Sequence, residues 1–232
     1  MAEKPLHFVY GQDEGKEQQV LDEKWITGFA EEICAKREYH IRWNYSVEKE
    51  EQDYLVYITG EWEEMKVPLV IRISPLVYHA AKPEKQKLQS VFFEKKCAVY
   101  QHFPVETYLA EQLFSILKFL ELIPSMEVYD TTFRLLEQET VDGRHIYETL
   151  SFLCGNEEVI PQEKRIEMLE SYDTYTYMKK RWEKYVRKQE MENVSWETVL
   201  HRIVLFLRPV WNAMCRDEVF FGDWMPDLER YL

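Results

Sequence analysis

The sequence predicts an α+β fold, a short mixed or antiparallel sheet with one packed helix in the first half and a helical bundle in the second. Two observations carry that expectation. Residues 1–103 hold short runs rich in β-branched and aromatic residues, separated by charged turn segments. From Pro104 onward apolar residues recur at three- and four-residue intervals almost to the end. The change near residue 104 predicts an α+β part over 1–103 and a helical part over 104–232.

The elements follow in order. Leu6-His7-Phe8-Val9-Tyr10 reads as a strand, ended by Gly11, the acids Asp13 and Glu14, and Gly15. Val20, Leu21, Trp25, Ile26, Phe29, Ala30, Ile33 and Cys34 form the apolar stripe of a helix that should lie flat on a sheet. Residues 39–47, 53–62 and 66–74 read as an antiparallel meander, and Cys97 to Phe103 as a fourth strand after a polar surface loop around Lys82-Pro83-Glu84-Lys85. Leu109, Leu113, Ile116, Leu117 and Leu120 share one helical face. Further helices are expected near 125–138, 142–154, 161–190 and 195–215, with Ser195 and Thr198 as a capping signal. The aromatic stretch from Phe220 to Pro226 is expected to wrap back onto the domain, because exposed it invites aggregation.

Composition bounds the function. The 232 residues carry 29 basic and 42 acidic side chains, a net charge of −13, which repels polyanions at long range and argues against a dedicated non-specific DNA binder. No run approaches the roughly 18 apolar residues of a membrane span, and the start lacks a signal-peptide core, so a cytoplasmic protein without membrane contact is expected. Cys34, Cys97, Cys154 and Cys215 lie far apart among apolar neighbours, the pattern of reduced core thiols. The six histidines show no metal-ligand spacing, and no nucleophile elbow is present.

Val99-Tyr100, the run Pro104-Val105-Glu106-Thr107-Tyr108-Leu109-Ala110-Glu111-Gln112-Leu113, and then Glu127-Val128-Tyr129-Asp130 with Leu135-Leu136 resemble the AbiEii/AbiGii toxin family of nucleotidyltransferases, which is similar to the DNA polymerase β superfamily. The likeness extends loosely through Trp182 to Phe206-Leu207-Arg208-Pro209-Val210, over residues 40–215. It implies a nucleotide-handling scaffold, a toxin–antitoxin or abortive-infection role and a cognate antitoxin or other protein partner. It implies Mg²⁺ and a nucleoside triphosphate as cofactors if the chain is active, with transfer of a nucleotide onto RNA or protein.

Against that pattern the chemical positions depart. Asp13 and Glu14 are adjacent, so on a strand they would point to opposite faces and not share an ion. Val70-Ile71-Arg72-Ile73-Ser74 puts Arg72 where the resemblance calls for a carboxylate. Gln112 replaces the usual Lys, and Met126-Glu127 the Lys-Asp pair, while Tyr129-Asp130 stays. Asp13, Glu14, Glu111 and Asp130 are therefore the only weak catalytic candidates, Glu106 joining Glu111 and Asp130 as a conceivable cluster or merely favouring a helix dipole. Losing several acids and a Lys together favours a degenerate scaffold, with no cofactor expected, acting through a partner or nucleic acid, over an active transferase. A purely structural subunit meeting a basic protein is the third expectation.

One basic segment stands against the acidic total. Residues 179–188 hold six cations and one acid, with Trp182 and Tyr185 interleaved. On a helix Lys180, Lys184, Arg187 and Lys188 share a face suited to phosphates, such as those of RNA, or to a solvated counterweight. Just before it, residues 171–177 read as a short strand or the irregular middle of the helix over 161–190, and their Tyr172, Tyr175 and Tyr177 offer a stacking platform or ordinary interhelical packing.

Overall fold

The computed structural model describes residues 6–10, 21–35, 40–75, 83–89, 97–189 and 194–232. Its contacts divide the chain into two units, residues 1–78 and 79–232.

In the first unit β1 (Leu6–Tyr10), β2 (Arg42–Glu50), β3 (Asp53–Trp62) and β4 (Met65–Pro75) form one sheet in the order β1-β4-β3-β2. β2, β3 and β4 pair antiparallel as the expected meander, and β1 joins β4 in parallel, so the sheet is mixed. Helix α1 (Glu23–Cys34) begins where the Asp22 carboxylate accepts the Trp25 amide at 2.8 Å. Its buried residues Ile26 and Ala30 form one small core with Tyr54, Val56, Ile58, Ile71 and Ile73. The two-residue period of β3 sends 54, 56 and 58 to one face, and that is the face the helix covers.

The second unit opens with the hairpin β5 (Glu84–Gln89) and β6 (Cys97–His102), paired antiparallel as a separate sheet. The polar stretch expected as a loop thus becomes a strand from Glu84 on. The sequence pattern changes near residue 104, but these strands pair with each other and not with the four-stranded sheet, and the contacts divide the chain at 78/79.

Helices follow: α2 (Val105–Phe119), α3 (Glu127–Gln138), α4 (Gly143–Asn156), α5 (Glu163–Glu170), α6 (Thr176–Gln189) and α7 (Trp196–Cys215). Their core is the main one. Leu109, Leu113, Ile116 and Leu117 of α2 are fully buried there with Ile203, Phe206, Leu207 and Val210 of α7, each such side chain worth roughly 1.5–3 kcal/mol. The single helix expected over 161–190 is instead two, broken at 171–173. Ser171 and Thr174 turn their hydroxyls onto the carbonyls of Met168 and Ser171, and the Trp196 indole takes the Tyr172 carbonyl at 2.7 Å. Those local bonds compete with the helical ladder.

The C-terminal stretch does wrap back. β7 (Val141–Asp142), β8 (Asp223–Met225) and β9 (Arg230–Tyr231) make a small antiparallel sheet. Trp224 is fully buried, its indole donating to the Leu136 carbonyl at 3.0 Å. Among the described thiols Cys154 is buried and Cys34 and Cys215 are half-buried, all three free, while the side chain of Cys97 lies outside the described residues. Among the described residues no helix is long and apolar enough to cross a membrane.

Candidate functional site

The candidate acids are held one by one. Asp13 and Glu14 lie outside the described residues. Glu106 accepts the Asp142 amide at 3.2 Å. Glu111, on α2, is half-buried, and loss of water around it raises its carboxyl above the usual range. Asp130, on α3, is 5% exposed and accepts from Arg134 Nε at 3.0 Å and from the Tyr185 hydroxyl at 3.4 Å. Burial and then the Asp130 charge push the Tyr185 phenol upward, so it stays a donor. Asp130 is thereby a tie between α3 and α6. Among the described residues no group of three or more His, Cys, Asp or Glu side chains is placed to hold a metal ion, so Glu106, Glu111 and Asp130 do not form the cluster considered above.

At the end of the four-stranded sheet, the Arg72 guanidinium lies 2.9 Å from Asp53 and 3.1 Å from Glu50. The three side chains line an open cleft of roughly 560 Å³. Both acids are thereby paired with a cation from their own sheet. His7 Nε2 sits 2.8 Å from the Ser74 hydroxyl. Desolvation lowers its titration, the Asp53 charge opposing and the Arg72 charge adding.

The basic segment occupies α6, and the structure sorts its cations into two sets. The inward set is structural: Met178, Trp182 and Val186 enter the core, and the Trp182 indole donates to the Val194 carbonyl at 2.8 Å. Arg181 lies beside them and donates to the carbonyls of Glu121, Ile123 and Pro124, satisfying the corner that follows α2. Lys179 pairs with Glu197 of α7. The outward set is Lys180, Lys184, Arg187 and Lys188, all exposed, with Tyr177 ahead of them on the same side. Arg187 bonds the Glu183 carbonyl within its own helix at 3.2 Å. Among the described residues no ion pair joins Lys180, Lys184 or Lys188 to an acid.

Sequence reasoning located the outward set of four without Lys179 and Arg181, but it gave those two no partners. Helical spacing alone carried part of that signal, since 181 stands beside 177 and 185 while 179 faces the core side. It also gave no role to Arg165, whose guanidinium holds the Leu117 carbonyl at 2.8 Å.

Fold and surface together define a class, an α+β protein of two units whose helical unit displays a predominantly cationic helix face. Compared with models of protein families, with curated proteins and with solved structures, the chain finds no significant match.

Proposed function

We propose that this chain works by binding nucleic acid through the outward face of α6, on a scaffold of the AbiEii/AbiGii nucleotidyltransferase type that has lost its transfer chemistry. The observation that carries the proposal is that Lys180, Lys184, Arg187 and Lys188 are all exposed on one face of α6, with Glu183 the single acid at its flank and, among the described residues, no ion pair from Lys180, Lys184 or Lys188 to an acid. A face that served only as a solvated counterweight would pair its cations with acids at helical spacing, as Arg144 and Glu148 do on α4 at 2.8 Å. The loss of chemistry is supported by the commitments of the acids. Asp53 and Glu50 are spent on Arg72, and Asp130 on Arg134 and Tyr185.

Binding of this kind is driven by release of counterions, with a salt slope of about −0.7 per phosphate contacted on a single strand and about −0.9 on a duplex. That release makes affinity fall as salt rises, while the overall charge of −13 opposes encounter at long range and is itself screened by salt. The test is titration of a labelled oligonucleotide across a salt series, with the double variant Lys184→Glu/Lys188→Glu beside the natural chain. Saturable binding with a steep slope, lost on charge reversal, supports the reading. No binding at low salt overturns it. A thermal shift series with Mg²⁺ and nucleoside triphosphates tests the other half, since a true ligand at 100 times its Kd adds about 2.7 kcal/mol. A Mg²⁺-dependent shift with one nucleotide would restore the active transferase.

A further inference from the structure

Immediately before the cationic face the chain displays aromatic surface that packing does not use. Tyr172, Tyr175 and Tyr177 form a ladder with ring centroids 5.7 and 5.9 Å apart. Tyr172 is buried, whereas Tyr175 and Tyr177 are 44% and 51% exposed. Arg181, itself fixed on the carbonyls after α2, holds its guanidinium 5.6 Å over the Tyr177 ring. That anchors the ring without covering it. Beside the ladder lies an open cleft of roughly 400 Å³, lined by Glu121, Met168, Ser171, Tyr172, Thr174 and Tyr175. From Tyr177 the outward positions run through Lys180, Lys184 and Lys188, about 16 Å of helix at 1.5 Å per residue.

We infer that the tyrosine ladder and the lysine row form one site for single-stranded nucleic acid, bases stacking on Tyr175 and Tyr177 while phosphates track Lys180, Lys184 and Lys188. The inference rests on the reading of α6 above and narrows its ligand. Exposed rings need a free base face, which a duplex keeps inside its own stack and a strand offers at every nucleotide. The acid at the cleft sets the direction. Glu121, which accepts the Tyr172 hydroxyl, repels phosphate and attracts the amino groups of base edges, so bases turn toward the cleft and the backbone toward the lysines.

The experiment is fluorescence anisotropy of the full chain with a short labelled oligoadenosine, the same length as a duplex, heparin and polyglutamate. The expected result is a single strand bound roughly tenfold more tightly than the duplex, and that preference removed in Tyr175→Ala/Tyr177→Ala, stacking being worth about that factor per base. Tyr177→Phe keeps the ring and should bind within about twofold of the natural chain, with melting temperature checking that all variants fold. Unchanged affinity in the tyrosine variant, with binding lost in Lys180→Ala/Lys184→Ala/Lys188→Ala, overturns the stacking site and leaves the cationic reading standing. Equal binding of polyglutamate also overturns it, in favour of an acidic protein partner. Silence toward every polyanion at low salt overturns both.

Discussion

The guanidinium of Arg181 holds the carbonyls of Glu121, Ile123 and Pro124, and Arg165 holds that of Leu117. Between them sits Leu120 at φ 49°, ψ −125°, a conformation that favours glycine. The two arginines bracket that corner and keep the chain in it. Replacing Arg181 with Ala should lower stability by about 2 kcal/mol, read from urea unfolding, and Lys should recover only part, since an ammonium cannot fork across several carbonyls. The same variant should leave the salt slope of nucleic-acid binding unchanged, in contrast with Lys184→Ala. Cys154 gives a pH dependence. Burial raises its thiol from 9.0 to about 11. Between those values the unfolded chain releases a proton that the folded chain keeps, so stability is level below pH 9 and falls as pH rises toward 11. The phenols of Tyr129, Tyr172, Tyr185 and Tyr231, raised chiefly by burial, extend the loss upward from pH 10. Urea midpoints across this range check the slope, and Cys154→Val should flatten its lower part.

Among the elements, the small C-terminal sheet depends on one close approach. Gly143, the first residue of α4, donates its amide to the Gly222 carbonyl at 3.0 Å, and a Cβ built on it would stand 2.4 Å from that same oxygen. Backbone cannot yield there as a flexible side chain would. Gly143→Ala should therefore cost about 1–3 kcal/mol and loosen β8 and β9, seen as faster amide exchange of residues 223–231 than of α2. In the sequence Gly143 reads only as a helix boundary, because its partner lies at position 222. The break between α5 and α6 was legible only as an irregular stretch over 171–177, for a similar reason. Residues 161–190 are helical in pattern, and the Trp196 indole that draws off the Tyr172 carbonyl comes from the next helix. Elements closed by their own sequence were legible: the Ser195 hydroxyl accepting the Thr198 amide at 3.1 Å on α7, and the meander from β2 to β4.

On the scale of the whole molecule the two units keep separate cores, one around Ile26 and Val56, the other around Leu113 and Leu207. Each core draws its buried residues from its own unit. Residues 79–232 expressed alone should therefore fold with a cooperative melting transition and retain the oligonucleotide affinity of the full chain, since α6 and the tyrosine ladder both belong to it. A molten fragment by circular dichroism, or a lost affinity, would contradict that. What the sequence determined by itself was the type of most elements and the face each turns inward, because the periods of 2 and 3.6 are properties of neighbouring residues. It also marked Lys180, Lys184, Arg187 and Lys188 as one face. Only the tertiary structure decided which groups Arg181 and Lys179 hold, that Asp130 ties α3 to α6, and that β5 and β6 pair as a sheet of their own. Each of these turns on a partner distant in the chain, up to 60 residues away for Arg181. Local pattern holds no record of which distant group will come to satisfy a charge or a carbonyl.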